Sequence, residues 1–154
     1  LQRYVGQSDW DFLTEVKQHV GEKTILGSGD LFRAENCLEM MQQTGVDGVT
    51  VARGAIGNPW IFRETQALAE GRPLPAPPTL HEQRQLLARH YELAEELYGP
   101  RRAATVMRKF GVRYAKLHPQ PDDVRLAFVS AKTGQDWADV LDHWYGVDGP
   151  GRRH

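Results

Sequence analysis

TILGSGDLF (24–32) and GVTVARGAIGNPWIF (48–62) flank one helix-sized segment, and their reading decides the fold. Each opens on a short apolar run rich in β-branched residues. Each then passes into a glycine-rich turn ahead of a helical pattern: TIL (24–26) into GSGD (27–30), and GVTVA (48–52) into RGAIGNP (53–59). Between them Ala34, Cys37, Leu38 and Met41 recur at i, i+3, i+4 and i+7, which predicts a helix over 33–43 stopped by Thr44-Gly45. Strand, helix and strand at this spacing predict a right-handed parallel βαβ unit. A glycine where a strand stops and a helix starts bares backbone N–H groups to an anion. Two such turns after consecutive strands are the arrangement of the phosphate site that follows the last two strands of a (β/α)8 barrel.

In GSGD, Gly27 and Gly29 allow the tight turn, and Asp30 is placed to cap the following helix. Alone, G-x-G-D is equally the pattern of a plain βα turn. ARGAIGNPW (52–60) is more specific. Arg53 follows directly on a strand, where its guanidinium offers a fork of donors to a phosphate or pairs with a structural carboxylate. Gly54 allows close approach, and Asn58-Pro59 reads as N-cap and first residue of a further helix ending near Gly71. Upstream, Ser8 with Asp11 reads as a capping box opening a helix that carries Trp10, Leu13, Val16 and Val20 and stops at Gly21. LQRYVGQSDW (1–10) reads as a strand-to-helix loop met partway, and with Leu rather than Met at position 1 the expectation is a fragment.

GRPLPAPPT (71–79) has four prolines in nine residues and reads as a semi-rigid linker. Beyond it the β signals vanish, and helices are expected at about 80–98, 100–117, 122–132 and 134–145. The expected organisation is therefore α/β plus all-α. Residues 1–70 are the last βα units of a TIM (β/α)8 barrel, 71–79 a linker, 80–146 a helical bundle domain and 147–154 a disordered tail. At 154 residues the chain is too short for a complete barrel, which takes roughly 250.

Cys37 is the only cysteine, so there is no disulfide framework, and a reducing, cytoplasmic setting is expected. No apolar run approaches the ~20 residues of a membrane span, and no metal-ligand spacing occurs. The net charge of −1 conceals an asymmetry: −3 over residues 1–78, +4 over 79–118 and −2 over 119–154. The basic block centres on one helix. At about 100° per residue, Ala103, Val106, Met107, Phe110, Tyr114 and Leu117 share one face. Arg101, Arg102, Arg108, Lys109, Arg113 and Lys116 share the adjoining one. Residues 99–118 contain no Asp or Glu. A cationic stripe without acidic partners is either a solvated face or the footprint of a nucleic-acid backbone. Trp137, Trp144 and Tyr145 at helical spacing read as core.

LQRYVGQSDWDFLTEVK, ILGSGDLF, TGVDGVTVARGAIGNPWIFRE and MRKFGVRY together resemble the tRNA-dihydrouridine synthases over nearly the whole chain to about residue 118. The resemblance implies an FMN-binding barrel followed by a helical tRNA-recognition domain. It also implies reduction of uridine to 5,6-dihydrouridine in tRNA, with NADPH reducing the flavin, in a protein that is a monomer when complete. Carried over by motif, the cofactor-phosphate residues are Ser28, Gly29 and Asp30 in the first turn and Ala52, Arg53 and Gly54 in the second. Ser28 stands where the family has Asn, and Ala52 where it has Gly. The tRNA-binding residues are Arg101, Arg102, Arg108, Lys109, Arg113 and Lys116. The family's proton-donating cysteine lies in an N-x-x-C-P loop of the earlier barrel half, which has no counterpart in this sequence. Cys37, on the apolar face of a helix, reads as a packing residue, so no catalytic residue is expected here and the isolated chain is expected to be inactive. Two other readings remain: an FMN barrel acting on a small molecule, and a non-catalytic RNA-binding module.

Overall fold

The computed structural model describes residues 6–153. The expectation for residues 1–5 lies outside them. The structure is mostly helical with one small parallel sheet.

Asp9, not Ser8, caps α1 (Trp10–Val20), accepting from the Phe12 amide at 3.0 Å. Ser8 is turned instead toward the first glycine turn. β1 (Leu26–Gly27) leads through that turn to α2 (Ala34–Thr44), whose C-cap Gly45 is left-handed at φ 72°. β2 (Gly48–Val49) pairs with β1 in parallel, Leu26 against Gly48 and Gly27 against Val49. Asp47 N to Ile25 O and Thr50 N to Gly27 O extend the ladder at each end. β1 thus starts two residues later than the expected 24–26 and reaches into Gly27, and β2 is shorter than the expected 48–52. A 3-10 turn (Arg53–Ala55) and α3 (Ile61–Ala69) follow. α3 has Trp60 rather than Asn58 at its N-cap, and Asn58 is buried. Leu31, Cys37, Met40, Val46 and Ile61 form the core, flanked by Trp10, Leu13, Ile25 and Val51. Cys37 is fully buried, and burial pushes its thiol pKa up.

These elements form one compact unit, residues through Ala55 with Pro59–Pro75. The second unit holds Ile56–Asn58 and the chain from Ala76 onward, so the long change of unit falls inside the proline-rich segment. In the second unit α4 (Leu80–Tyr98) opens on a capping box between Thr79 and Glu82. α5 (Pro100–Tyr114) runs into a 3-10 turn (Ala115–Leu117), then come α6 (Pro121–Ser130) and α7 (Gly134–Tyr145). Trp137 and Tyr145 are buried as expected, Trp137 stacked on Tyr91 and both rings tilted against Phe128, whereas Trp144 is only half-buried. Gly57, in the short Ile56–Asn58 segment, lies against the backbone of Arg113 on α5.

Residues 147–153 are not the disordered tail expected from their composition. Gly149 O accepts from the Leu80 amide at 2.9 Å, and the Arg152 amide donates to Leu117 O at 2.8 Å. The side chains of this segment make little core, but its backbone closes onto the start of α4 and the end of α5.

His118 fixes a pH dependence in this unit. It is buried, its Nε2 donates to Trp144 O at 2.9 Å, and its Nδ1 accepts from the Gln120 amide at 3.0 Å. The bond accepted by Nδ1 needs the neutral ring. Burial lowers its pKa below the ordinary 6.5, with the Trp144 carbonyl opposing, and burial lowers that of His90 too. A lowered histidine pKa means that the unfolded chain takes up the proton first. The stabilisation is complete above pH 6.5 and drains away as pH falls toward the lowered values. The protection factors of α7 amides, measured by hydrogen exchange against the intrinsic rate at each pH, should therefore fall between pH 7 and 5, and His118→Asn with His90→Gln should flatten that fall.

Candidate functional site

The two glycine turns meet on one cavity of about 540 Å³. Gly6 and Ser8 line it from the approach to α1, residues 28–32 from the first turn, and Thr50 with Ala52–Gly54 from the second. All six residues expected from sequence at the phosphate turns, Ser28, Gly29, Asp30, Ala52, Arg53 and Gly54, are therefore brought together. Their roles differ from expectation.

Asp30 does not cap α2, whose N-cap is Arg33. It adopts φ 54°, the one positive value outside glycine among the described residues. From there its carboxylate accepts from the Ser8 amide at Oδ2 (2.7 Å) and from Arg53 Nη2 at Oδ1 (2.9 Å). The Ser8 amide holds the Asp30 carboxyl below the usual range, with Arg53 adding to it. An ionised, doubly engaged carboxylate is a poor ligand for a phosphate but a good support for the arginine that would be one. Arg53 also lies over the Phe32 ring at 5.5 Å, and its side chain is half exposed at 53%. The guanidinium is thus held from two sides at the wall of the cavity.

Ser28 Oγ donates its one proton to Thr50 O at 3.1 Å, tying the first turn to the second strand. The hydroxyl then presents lone pairs, which a dianion repels. Gly54 explains the closeness of the turns: a Cβ there would stand 1.9 Å from Leu31 O. Trp10 completes the frame, its Nε1 donating to Ser8 Oγ at 2.9 Å and reaching Gly29 O at 3.3 Å. The sequence signals at Ser8 and Trp10, a helix cap and an apolar face, give no hint of this role, which only their position beside the turn identifies.

The second unit carries a separate cationic surface. Arg108, Lys109, Arg113 and Lys116 of the predicted stripe line a cavity of about 550 Å³ between α5 and α6, together with Arg125 and Asp122. Arg101 and Arg102 sit in the first turn of α5 and line no cavity with them. Arg125 went unread in the sequence because a single arginine among three acidic or polar neighbours on α6 gives no stripe. A smaller cavity of about 250 Å³ adjoins the first, lined by Lys116, Pro121, Arg152 and Arg153. Among the described residues no group of three or more His, Cys, Asp or Glu is placed to hold a metal. No helix among them is long and apolar enough to cross a membrane.

The first unit thus carries a glycine-turn cavity with an arginine at its wall, and the second a cationic surface along α5 and the turn after it. The model of the Dihydrouridine synthase (Dus) family matches residues 1–143, and the chain belongs to that family. It is 39% identical over 132 residues to "Probable tRNA-dihydrouridine synthase" of Mycobacterium leprae (strain TN), covering 86% of this chain and 34% of that protein. It is 37% identical over 146 residues to the protein of the same name from Mycobacterium tuberculosis (strain CDC 1551 / Oshkosh), covering 95% and 38%. With "tRNA-dihydrouridine synthase B" of Xanthomonas campestris pv. campestris it shares 34% over 133 residues, covering 86% and 40%. The chain thus spans little more than a third of the length of these relatives.

Proposed function

We propose that this chain is the part of a flavin-dependent tRNA-dihydrouridine synthase that seats the cofactor phosphate and grips tRNA. In this reading residues through 70 are the last βα units of a TIM barrel, and residues 80–146 are its helical tRNA-recognition domain. The observation that carries the proposal is the meeting of both glycine turns and Arg53 on one cavity. The donor set fits a phosphate monoester: Arg53, with backbone amides of Gly29 and Gly54, would hold it, while Asp30 and Ser28 shape the turn behind them. When bound, FMN supplies the hydride equivalents for uridine reduction, regenerated by NADPH. The protein's own part here is binding and orientation. Cys37, fully buried with a raised pKa, is a packing residue in this reading rather than the proton donor toward the base.

Two outcomes follow. The isolated chain should form no dihydrouridine from tRNA, flavin and NADPH, as read by mass spectrometry of digested tRNA; measurable product would sink the assignment of chemistry to residues outside it. Arg53→Ala should weaken FMN binding, followed by flavin fluorescence, by about 10-fold or more, the scale of one charge-assisted phosphate contact. Unchanged binding would make the Arg53–Asp30 pair a structural tie and leave the RNA-binding-module reading in its place.

A further inference from the structure

The segment that follows the 143 matched residues is built onto the cationic surface rather than trailing from it. Two backbone links and one side-chain bond hold it: the Leu80 amide to Gly149 O, the Arg152 amide to Leu117 O, and Asp148 Oδ1 accepting from the His81 amide at 3.0 Å. The anchor beneath is Gln83, fully buried, whose Nε2 donates to Pro78 O at 3.0 Å and to Leu117 O at 3.1 Å. Gly151 lies directly on this cluster. A Cβ there would stand 2.1 Å from Pro78 O and 2.4 Å from Gln83 Nε2. Leu117 O therefore joins the end of α5, the start of α4 and the arm at one atom.

The consequence is electrostatic. The latch sets Arg152 and Arg153 beside Lys116, and those three cations with Pro121 line the smaller cavity. No acidic side chain lines it. Lys116 and Pro121 also line the larger cavity, so the two cavities share a wall. A volume of about 250 Å³ suits one phosphodiester group and its water better than a base or a nucleotide.

We propose that the 147–153 arm is a phosphate clamp, in which Arg152 and Arg153 with Lys116 hold a backbone phosphate of the RNA that also lies along Arg108, Lys109 and Arg113. This rests on the tRNA-binding reading above and adds a site to it. The clamp reads no sequence: arginine contacts to phosphate fix register and affinity, not base identity.

The test is titration of fluorescein-labelled tRNA with the full chain at 50–300 mM salt. Arg152→Ala/Arg153→Ala should lower affinity about 10-fold at 100 mM salt. It should also reduce the slope of log K against log salt by about 0.7–0.9, the release expected for one neutralised phosphate. Both side chains are exposed, so folding should be unaffected. Gly151→Ala, which keeps every charge but lifts the arm from Gln83, should lose most of the same affinity. Arg108→Ala/Arg113→Ala is the control. If it weakens binding while both arm variants match wild type in affinity and slope, the clamp is overturned and the tRNA reading stands. If wild type shows no salt-dependent tRNA binding, both fall.

Discussion

Replacing Arg108, Lys109, Arg113 and Lys116 together by alanine is expected to cut tRNA affinity by about 10²–10³ at 100 mM salt and to flatten the salt dependence by about 3 in slope. The reasoning is counterion release. Each cation that neutralises a phosphate frees about 0.7–0.9 of a condensed ion, so four removed contacts leave fewer ions to release, and binding loses both strength and salt sensitivity. The effect should be uniform across tRNA sequences, because these side chains form a face on α5 rather than a set of groups aimed at base edges. Folding should survive. All four lie outside the core, and the buried face of α5 is carried by Ala103, Ala104, Met107 and Tyr114. A quadruple variant with unchanged affinity would remove the nucleic-acid reading of this helix altogether.

Gly54→Ala is expected to cost about 3 kcal/mol, at the upper end of the usual range for overpacking. Flavin binding should be lost with it. A Cβ at 54 would meet Leu31 O at 1.9 Å and Phe32 Cα at 3.0 Å, and both are backbone atoms that cannot rotate aside. The two turns would have to part, taking Arg53 away from Asp30. Gly27→Ala is the control: its Cβ would meet Met40 Sδ at 2.6 Å, the end of a flexible side chain, and should cost under about 1 kcal/mol. Hydrogen exchange across α2 and α3, with flavin titration, checks both. Equal effects from the two substitutions would mean that the approach of the turns does not matter.

The helices of the second unit were legible because their ends are written locally. Thr79 with Glu82 and Thr133 with Asp136 are capping boxes, and Pro100 and Pro121 stand at first-turn positions. The strands were legible in place but not in length, since a strand ends where its partner ends, and the partner is 22 residues away. Which residues meet at the glycine turns was legible; what each does there was not. Asp30 and Ser28 spend their hydrogen bonds on Ser8, Arg53 and Thr50, groups distant in sequence, and no local pattern announces such pairings. The arm was misread for a related reason: a glycine- and arginine-rich composition looks unstructured, while its fixing bonds are main-chain ones that composition does not encode.

The Ile56–Asn58 segment means that neither unit is one uninterrupted piece of chain. A helical fragment begun at residue 76 would lack the Gly57 backbone that covers Arg113, and a first-unit fragment ended at 55 would lack α3 and the Ile61 side chain at its core. The two halves cannot be exchanged between homologues by a single splice at the prolines. Shuffling them as modules requires two junctions, and inheritance of this region should favour keeping residues 53–61 with both partners at once.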